Sequence, residues 1–150
     1  MISGRFRITF VYEIIRRKDY MKNEQIIPKP TDAELEILSI LWDSGPCTVR
    51  FVNDKLNEIR PVGYTTTLKF LQIMTDKGIV TRQADGRTHV YTANLKKENV
   101  QNQLLEKLMD SVFGGSAQQL VLQTLGNYRA SQSELAEIKA LIDKLDGGNL

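Results

Sequence analysis

The chain is poor in the residues on which most catalytic, metal-binding and secreted proteins are built. Among its 150 residues there is one cysteine, Cys47, and one histidine, His89. A single thiol excludes an internal disulfide framework, and one Cys with one His excludes a dedicated Cys/His metal cage, so neither a metal nor a cofactor is expected. Both scarcities suit a reducing compartment and place the protein in the cytoplasm. Long apolar runs are missing as well. The longest, Ile8-Thr9-Phe10-Val11-Tyr12, falls far short of the roughly 18 residues needed to cross a bilayer, so no membrane insertion is expected. There is no Gly-rich phosphate loop and no cleft of paired carboxylates, and no Ser/His/Asp set can be assembled around one His in a strand-like segment. The protein is therefore not expected to be an enzyme.

A strong charge of one sign is also lacking. The formal net charge is +2, but residues 1–20 hold five basic groups against two acidic ones, which leaves −1 for residues 21–150. Residues 31–95 hold seven basic groups against eight acidic, again a net of −1. Bulk charge makes no case for a nucleic-acid partner, and any such case rests on where individual basic groups sit.

With 41% hydrophobic and 25% charged residues, the chain suits one compact domain, or a small domain with an oligomerisation element. Residues 1–30 read as an N-terminal extension. Within it Met21-Lys22-Asn23-Glu24 looks like a natural start, which would set residues 1–20 upstream of the native protein. The rival reading is a signal peptide, but Thr9 and Glu13 interrupt its apolar stretch and no small-residue cleavage site follows.

From residue 31 the pattern sharpens. Thr31-Asp32-Ala33-Glu34 is a capping box, opening a helix over 32 to about 43 with Leu35, Ile37, Leu38, Leu41 and Trp42 on one stripe and Gly45-Pro46 as its stop. Thr48 caps a second helix carrying Val49, Val52, Leu56 and Ile59, which ends near Arg60-Pro61. A third runs from Tyr64 to Lys77, with Tyr64, Leu68, Leu71 and Met74 turned inward and Gly78 as its exit. The period then changes from 3.6 to 2. Ile79-Val80-Thr81-Arg82 and Thr88-His89-Val90-Tyr91-Thr92 are β-branched runs joined by Gln83-Ala84-Asp85-Gly86-Arg87, in which Asp85-Gly86 is a strong hairpin turn signal. Three helices followed by a hairpin is the order of a winged helix-turn-helix, expected over residues 31–95.

Residues 96–150 are expected to form a separate helical dimerisation region. Val100, Leu104, Leu105, Leu108 and Val112 fall on one side of a helix broken at Gly114-Gly115-Ser116. Leu120, Val121 and Leu125 mark a short apolar helix, and a second capping box at Ser131–Glu134 opens a last one with Leu135, Ile138, Leu141, Ile142 and Leu145. Three short amphipathic helices cannot cover their own stripes, which points to a second copy of the chain. The fold class expected is mainly α with a small β-hairpin.

A helix that enters the major groove needs short polar and basic groups on its exposed face. The third helix supplies Thr65, Thr66, Lys69 and Gln72 there, within a run Thr65-Thr66-Thr67 whose β-branched side chains are costly in a helix. All three threonines are therefore assigned to the DNA-binding set. Threonine can bond phosphate or meet a thymine methyl, glutamine can pair with adenine, and lysine can reach guanine or phosphate. Arg82 on the first strand and Arg87 just past the hairpin tip are placed for flanking phosphates or the minor groove. Set against this is a plain solvated helix face, and a winged helix used only to bind another protein. Cys47, before the second helix, has two readings: a redox-sensing thiol at a helix N-terminus, or, in preference, a small partly buried residue.

In combination Thr31-x-x-Glu34-x-x-Ile37-Leu38-x-x-Leu41-Trp42, Gly63-Tyr64-Thr65-Thr66-Thr67, Lys77-Gly78-Ile79-Val80 and Asp85-Gly86-Arg87-Thr88-His89-Val90-Tyr91 resemble the penicillinase and methicillin-resistance repressor family (BlaI/MecI, with the copper-responsive CopY branch), over about residues 28–146. The resemblance implies a cytoplasmic, dimeric winged-helix repressor of bacterial transcription. It puts Thr65, Thr66 and Lys69 on the surface that reads an inverted-repeat double-stranded DNA operator, and the helices after Lys96 in the dimer. It also implies a membrane sensor-protease as partner, acting at an Asn-Phe bond, but Leu120-Val121-Leu122-Gln123-Thr124-Leu125 lacks that bond. Nor does any cysteine lie beyond Cys47, whereas the copper branch carries a C-terminal cysteine pair. Lys69 and Ile73 stand where many members have a threonine and an arginine.

Overall fold

The computed structural model describes residues 28–147. The expected start at Met21, and residues 1–20 upstream of it, lie outside the described residues. In chain order the elements are α1 (Asp32–Ser44), β1 (Cys47–Thr48), α2 (Val49–Ile59), α3 (Tyr64–Asp76), β2 (Val80–Asp85), β3 (Thr88–Ala93), α4 (Lys97–Val112), α5 (Ala117–Asn127) and α6 (Gln132–Gly147). They divide into two compact units, one up to Val100 and one from Gln101.

Each helix of the first unit starts or stops for a local reason. At α1 the Thr31 N–H donates to Glu34 Oε2 (2.8 Å) and the Glu34 N–H donates back to Thr31 Oγ1 (3.3 Å), a closed capping box. Gly45, at φ +77°, lets the chain leave α1 in a conformation that other residues adopt only at a cost. Thr48 Oγ1 caps α2 by accepting from the Phe51 N–H.

Ile37, Leu38 and Leu41 of α1, Val52 and Leu56 of α2, and Leu71 and Met74 of α3 meet Ile79, Val80 and Tyr91 of the hairpin in one buried cluster. Burying each of these side chains contributes about 1.5–3 kcal/mol, which is what holds three short helices and a small sheet together. The Trp42 indole N–H donates to the Leu95 carbonyl (2.8 Å), tying α1 to the chain leaving the hairpin.

The hairpin has a third strand that the sequence does not show. Cys47 and Thr48 pair antiparallel with Tyr91 and Val90, giving the order β1-β3-β2. A two-residue strand has no alternation to read; its pairing exists only because α1 and α2 bring it to the free edge of β3. Both long strands also extend further than expected. Asp85 pairs with Thr88, so the turn is Gly86-Arg87 and not Asp85-Gly86. Gly86 is at φ +60° and, among the described residues, no non-glycine residue has positive φ, the φ pattern of a type II′ turn with glycine first. Arg87 therefore sits in the tip itself and not just past it.

Two inward assignments fail. Ile59 is 66% exposed and Tyr64 is 48% exposed. Each closes or opens a helix at the α2–α3 turn, beyond the reach of the core stripe. Val100 fails in the opposite sense: assigned to the dimer seam, it is only 1% exposed within the first unit, so it is already covered by its own chain.

In the second unit a Ser116 hydroxyl caps α5 by accepting from the Gln119 N–H. The box at the start of α6 closes as read: the Ser131 N–H donates to Glu134 Oε2 (2.7 Å) and the Glu134 N–H to Ser131 Oγ (3.2 Å). The Ser131 N–H and the Ser131 hydroxyl (2.8 Å) both donate to Glu134 Oε2 and hold the Glu134 carboxyl below its ordinary range. Neither α5 nor α6 buries a single residue fully.

Candidate nucleic-acid interface

Helices α2 and α3 are joined by the turn Arg60–Gly63, and α3 packs its Thr67, Leu71 and Met74 side inward. The opposite side carries Thr65, Thr66, Lys69 and Gln72, all exposed. Their 1-3-3 spacing puts them on one face over two turns. Arg82 and Arg87 are exposed as well; Arg82 lies opposite Tyr91 in the ladder, on the same face of the hairpin as Val80, and Arg87 is in the tip.

Thr67 does not belong with this set. It is fully buried, and its hydroxyl accepts from Asn53 Nδ2 (2.9 Å) and donates to the Gly63 carbonyl (3.3 Å). It lies two and one residues past Thr65 and Thr66, which turns it by 200° and 100° about the helix and into the core. A run of identical residues in a helix cannot share one face.

The basic groups of residues 31–95 fall into two sets. Lys55, Arg60 and Lys77 are in ion pairs with Glu58, Glu36 and Glu34. Arg50, Lys69, Arg82 and Arg87 are exposed and, among the described residues, in no ion pair. Asp32, Asp54, Asp76 and Asp85 are likewise exposed and, among the described residues, in no ion pair, so the position of each cation matters and not the sum of charge. Arg60 and Lys77 join the ends of α2 and α3 to α1, Lys55 pairs within α2, and three of the four free cations stand on α3 and the hairpin. Arg50 is the one that the sequence did not single out. It lies in the first turn of α2, which contains no acidic residue, where the helix dipole disfavours a cation. That misfit was the available signal.

Cys47 is 5% exposed, and its thiol donates to the Gly45 carbonyl (3.0 Å). Burial pushes its pKa up, the reverse of what a reactive sensor thiol needs. Among the described residues no group of three His, Cys, Asp or Glu side chains could hold a metal ion, and no helix is long and apolar enough to cross a membrane.

In the second unit the stripe assigned to a partner is largely uncovered. Leu105, Leu108, Val112, Val121, Leu125, Leu135, Leu141, Ile142 and Leu145 are exposed, and Leu104, Leu120 and Ile138 are half-buried. Leu122 and Tyr128, not singled out in the sequence, are exposed apolar groups of the same unit, at 62% and 75%.

Three helices, a short turn between the second and third, and a hairpin edged by β1 define a winged helix-turn-helix. The chain belongs to the penicillinase repressor family, whose pattern it matches over residues 30–144. It is 24% identical over 118 residues to the penicillinase repressor of Bacillus licheniformis, covering 79% of this chain and 92% of that one. To the transcriptional regulator BlaI of Mycobacterium tuberculosis it is 28% identical over 116 residues, covering 73% and 84%. Among solved structures, the Bacillus licheniformis BlaI monomeric form in complex with the blaP half-operator aligns with a TM-score of 0.44 and 27% identity, covering 49% of this chain and 89% of that one.

Proposed function

We propose that this protein is a sequence-specific DNA-binding repressor of transcription that acts as a homodimer on an inverted-repeat operator in the bacterial cytoplasm. Family membership supports the repressor role. The observation that carries the DNA-binding mode is where the unpaired cations of residues 31–95 stand: on α3, the hairpin and the start of α2. In this reading α3 enters the major groove, where Thr65, Thr66, Lys69 and Gln72 meet base edges at about 1–3 kcal/mol of discrimination per good bidentate contact. Arg82, Arg87 and the helix N-termini hold phosphates and make the affinity depend on salt. Arg50 adds to the phosphate set, since the helix before the recognition helix crosses the backbone in this motif.

The homodimer rests on the uncovered apolar stripes of α4, α5 and α6. A twofold dimer requires a twofold site, with half-sites about one helical turn, or a multiple of it, apart. The net charge of −1 over residues 31–95 permits the alternative of a protein-interaction module, whereas the unpaired cations on α3 and the hairpin favour DNA. Selection of duplexes from a randomised pool tests the proposal. An enriched inverted repeat of that spacing is expected; a pool that stays random at low salt would contradict it and favour the interaction module.

A further inference from the structure

The α2–α3 turn is held by side chains of α2 and α3, not by its own backbone. Asn53 and Asn57 stand one helical turn apart on α2. Asn53 Nδ2, nearly buried, donates both to the Val62 carbonyl (2.9 Å) and to Thr67 Oγ1 (2.9 Å). Asn57 Nδ2 donates to the same Val62 carbonyl (2.9 Å), while its Oδ1 accepts from the Val62 N–H (3.1 Å). Thr67 closes the set by donating to the Gly63 carbonyl (3.3 Å), which also accepts from the Thr67 N–H (3.1 Å). Both polar groups of the Val62 backbone and the carbonyl of Gly63 are thereby engaged. Pro61 has no N–H to contribute, and α3 has no side-chain cap of its own at Gly63.

We propose that Asn53, Asn57 and Thr67 are positioning residues for operator recognition: they fix where the first turn of α3 emerges from α2, and so where Thr65 and Thr66 meet the bases. This rests on the DNA-binding reading above. The physical ground is the difference in tolerance between the two kinds of contact. Phosphate contacts from long, flexible Lys and Arg side chains survive a small shift of the helix, whereas bonds to base edges need distance and angle held together. A polar set with every member bonded, and with Asn53 and Thr67 buried, specifies one arrangement; an apolar contact of the same size would allow several. Loosening the set should therefore lower discrimination before it lowers affinity for DNA in general.

The test uses the full chain and two duplexes, the one the wild-type protein enriches from a random pool and a scrambled version of it. Thr67→Val keeps the shape and β-branching but loses the hydroxyl; Thr67→Ser keeps the hydroxyl. The expected result is that Thr67→Val binds the scrambled duplex within twofold of wild type but loses about tenfold in preference for the selected one, the scale of one mismatched base pair. Thr67→Ser should retain the preference. Asn57→Ala, an exposed change that leaves the Val62 carbonyl bonded to Asn53, keeps the test available if Thr67→Val does not fold, and should lose part of the preference in the same way. Preference unchanged in Thr67→Val, or in Asn57→Ala where Thr67→Val is unfolded, would overturn the proposal, as would equal losses in Thr67→Val and Thr67→Ser. Failure of the wild-type protein to enrich any duplex would instead overturn the DNA-binding reading itself.

Discussion

Lys77 Nζ lies 2.7 Å from Glu34 Oε1, joining the exit of α3 to the first turn of α1 across 43 residues of sequence. The Glu34 side chain is only 3% exposed, whereas that of Lys77 is 41% exposed. The other carboxyl oxygen takes the capping bond from Thr31. One carboxylate thus starts the first helix and anchors the end of the third, opposite the Asn53–Thr67 contact at its beginning.

Burial raises the Glu34 pKa, but the bonds from Lys77 and Thr31 and the Lys77 charge outweigh it, and the net shift is downward from the ordinary 4.5. A carboxylate whose folded pKa is depressed stabilises the fold fully above its unfolded pKa and loses that contribution as pH falls through the folded value. Denaturant titrations between pH 7 and pH 3 should show wild-type stability falling below about pH 4.5, with a shallower fall in Glu34→Gln. At pH 7, Lys77→Met should cost about 1–3 kcal/mol by leaving a buried carboxylate with fewer partners. Parallel pH profiles for wild type and Glu34→Gln would contradict this account of the contact.

Gly86, at φ +60°, has nothing within 4 Å of where a Cβ would stand. Any cost of Gly86→Ala is therefore backbone strain, about 1–2 kcal/mol, without steric collision. Urea denaturation should show that loss. No loss would mean that the hairpin tip does not need a left-handed residue before Arg87.

The exposed stripe of α6 includes Leu141 at 56% and Leu145 at 68%. Covering each in a homodimer contributes about 1.5–3 kcal/mol per side chain. Sedimentation of the double variant Leu141→Asp, Leu145→Asp should give a monomer at concentrations where the wild type is a dimer, with the winged helix still folded. A variant that stays dimeric would move the seam to another helix.

The Cys47 thiol, raised in pKa by burial, should react with iodoacetamide at pH 8 at least tenfold more slowly than free cysteine. Cys47→Ser should bind DNA as the wild type does, before and after peroxide. Fast labelling, or a peroxide response that depends on Cys47, would restore the sensor reading.

Helix ends were the most legible part of the fold, because a cap is a local arrangement of neighbours: Thr31 with Glu34, and Ser131 with Glu134, bond as their spacing requires. The apolar period placed Ile37, Leu38, Leu41, Val52, Leu56, Leu71 and Met74 in the core. It failed where the stripe runs past the body it packs on, at Ile59 and Tyr64. It failed again at Val100, which shares its helix with uncovered leucines yet is buried by its own unit. What the sequence could not carry was pairing set by the tertiary fold. β1 is an edge contact of two residues, and the bond that Asn53, 14 residues earlier, makes to Thr67 is equally non-local, although the helical period alone turns Thr67 to the side of Leu71 and Met74. The charge of the interface was hidden for the same reason: which cations are free depends on which carboxylates reach the others.

The most direct measurement is fluorescence anisotropy of the protein with the duplex it enriches from a randomised pool, titrated over several salt concentrations beside an unrelated duplex, for wild type, Lys69→Ala and the double variant Arg82→Ala, Arg87→Ala. The account predicts tight, salt-sensitive binding that prefers the selected duplex. Lys69→Ala should lose preference, and the double arginine variant should weaken binding to both duplexes and reduce the salt slope by about 1 for each phosphate contact removed. No binding by the wild type at low salt, or binding indifferent to salt and to all three side chains, would contradict it.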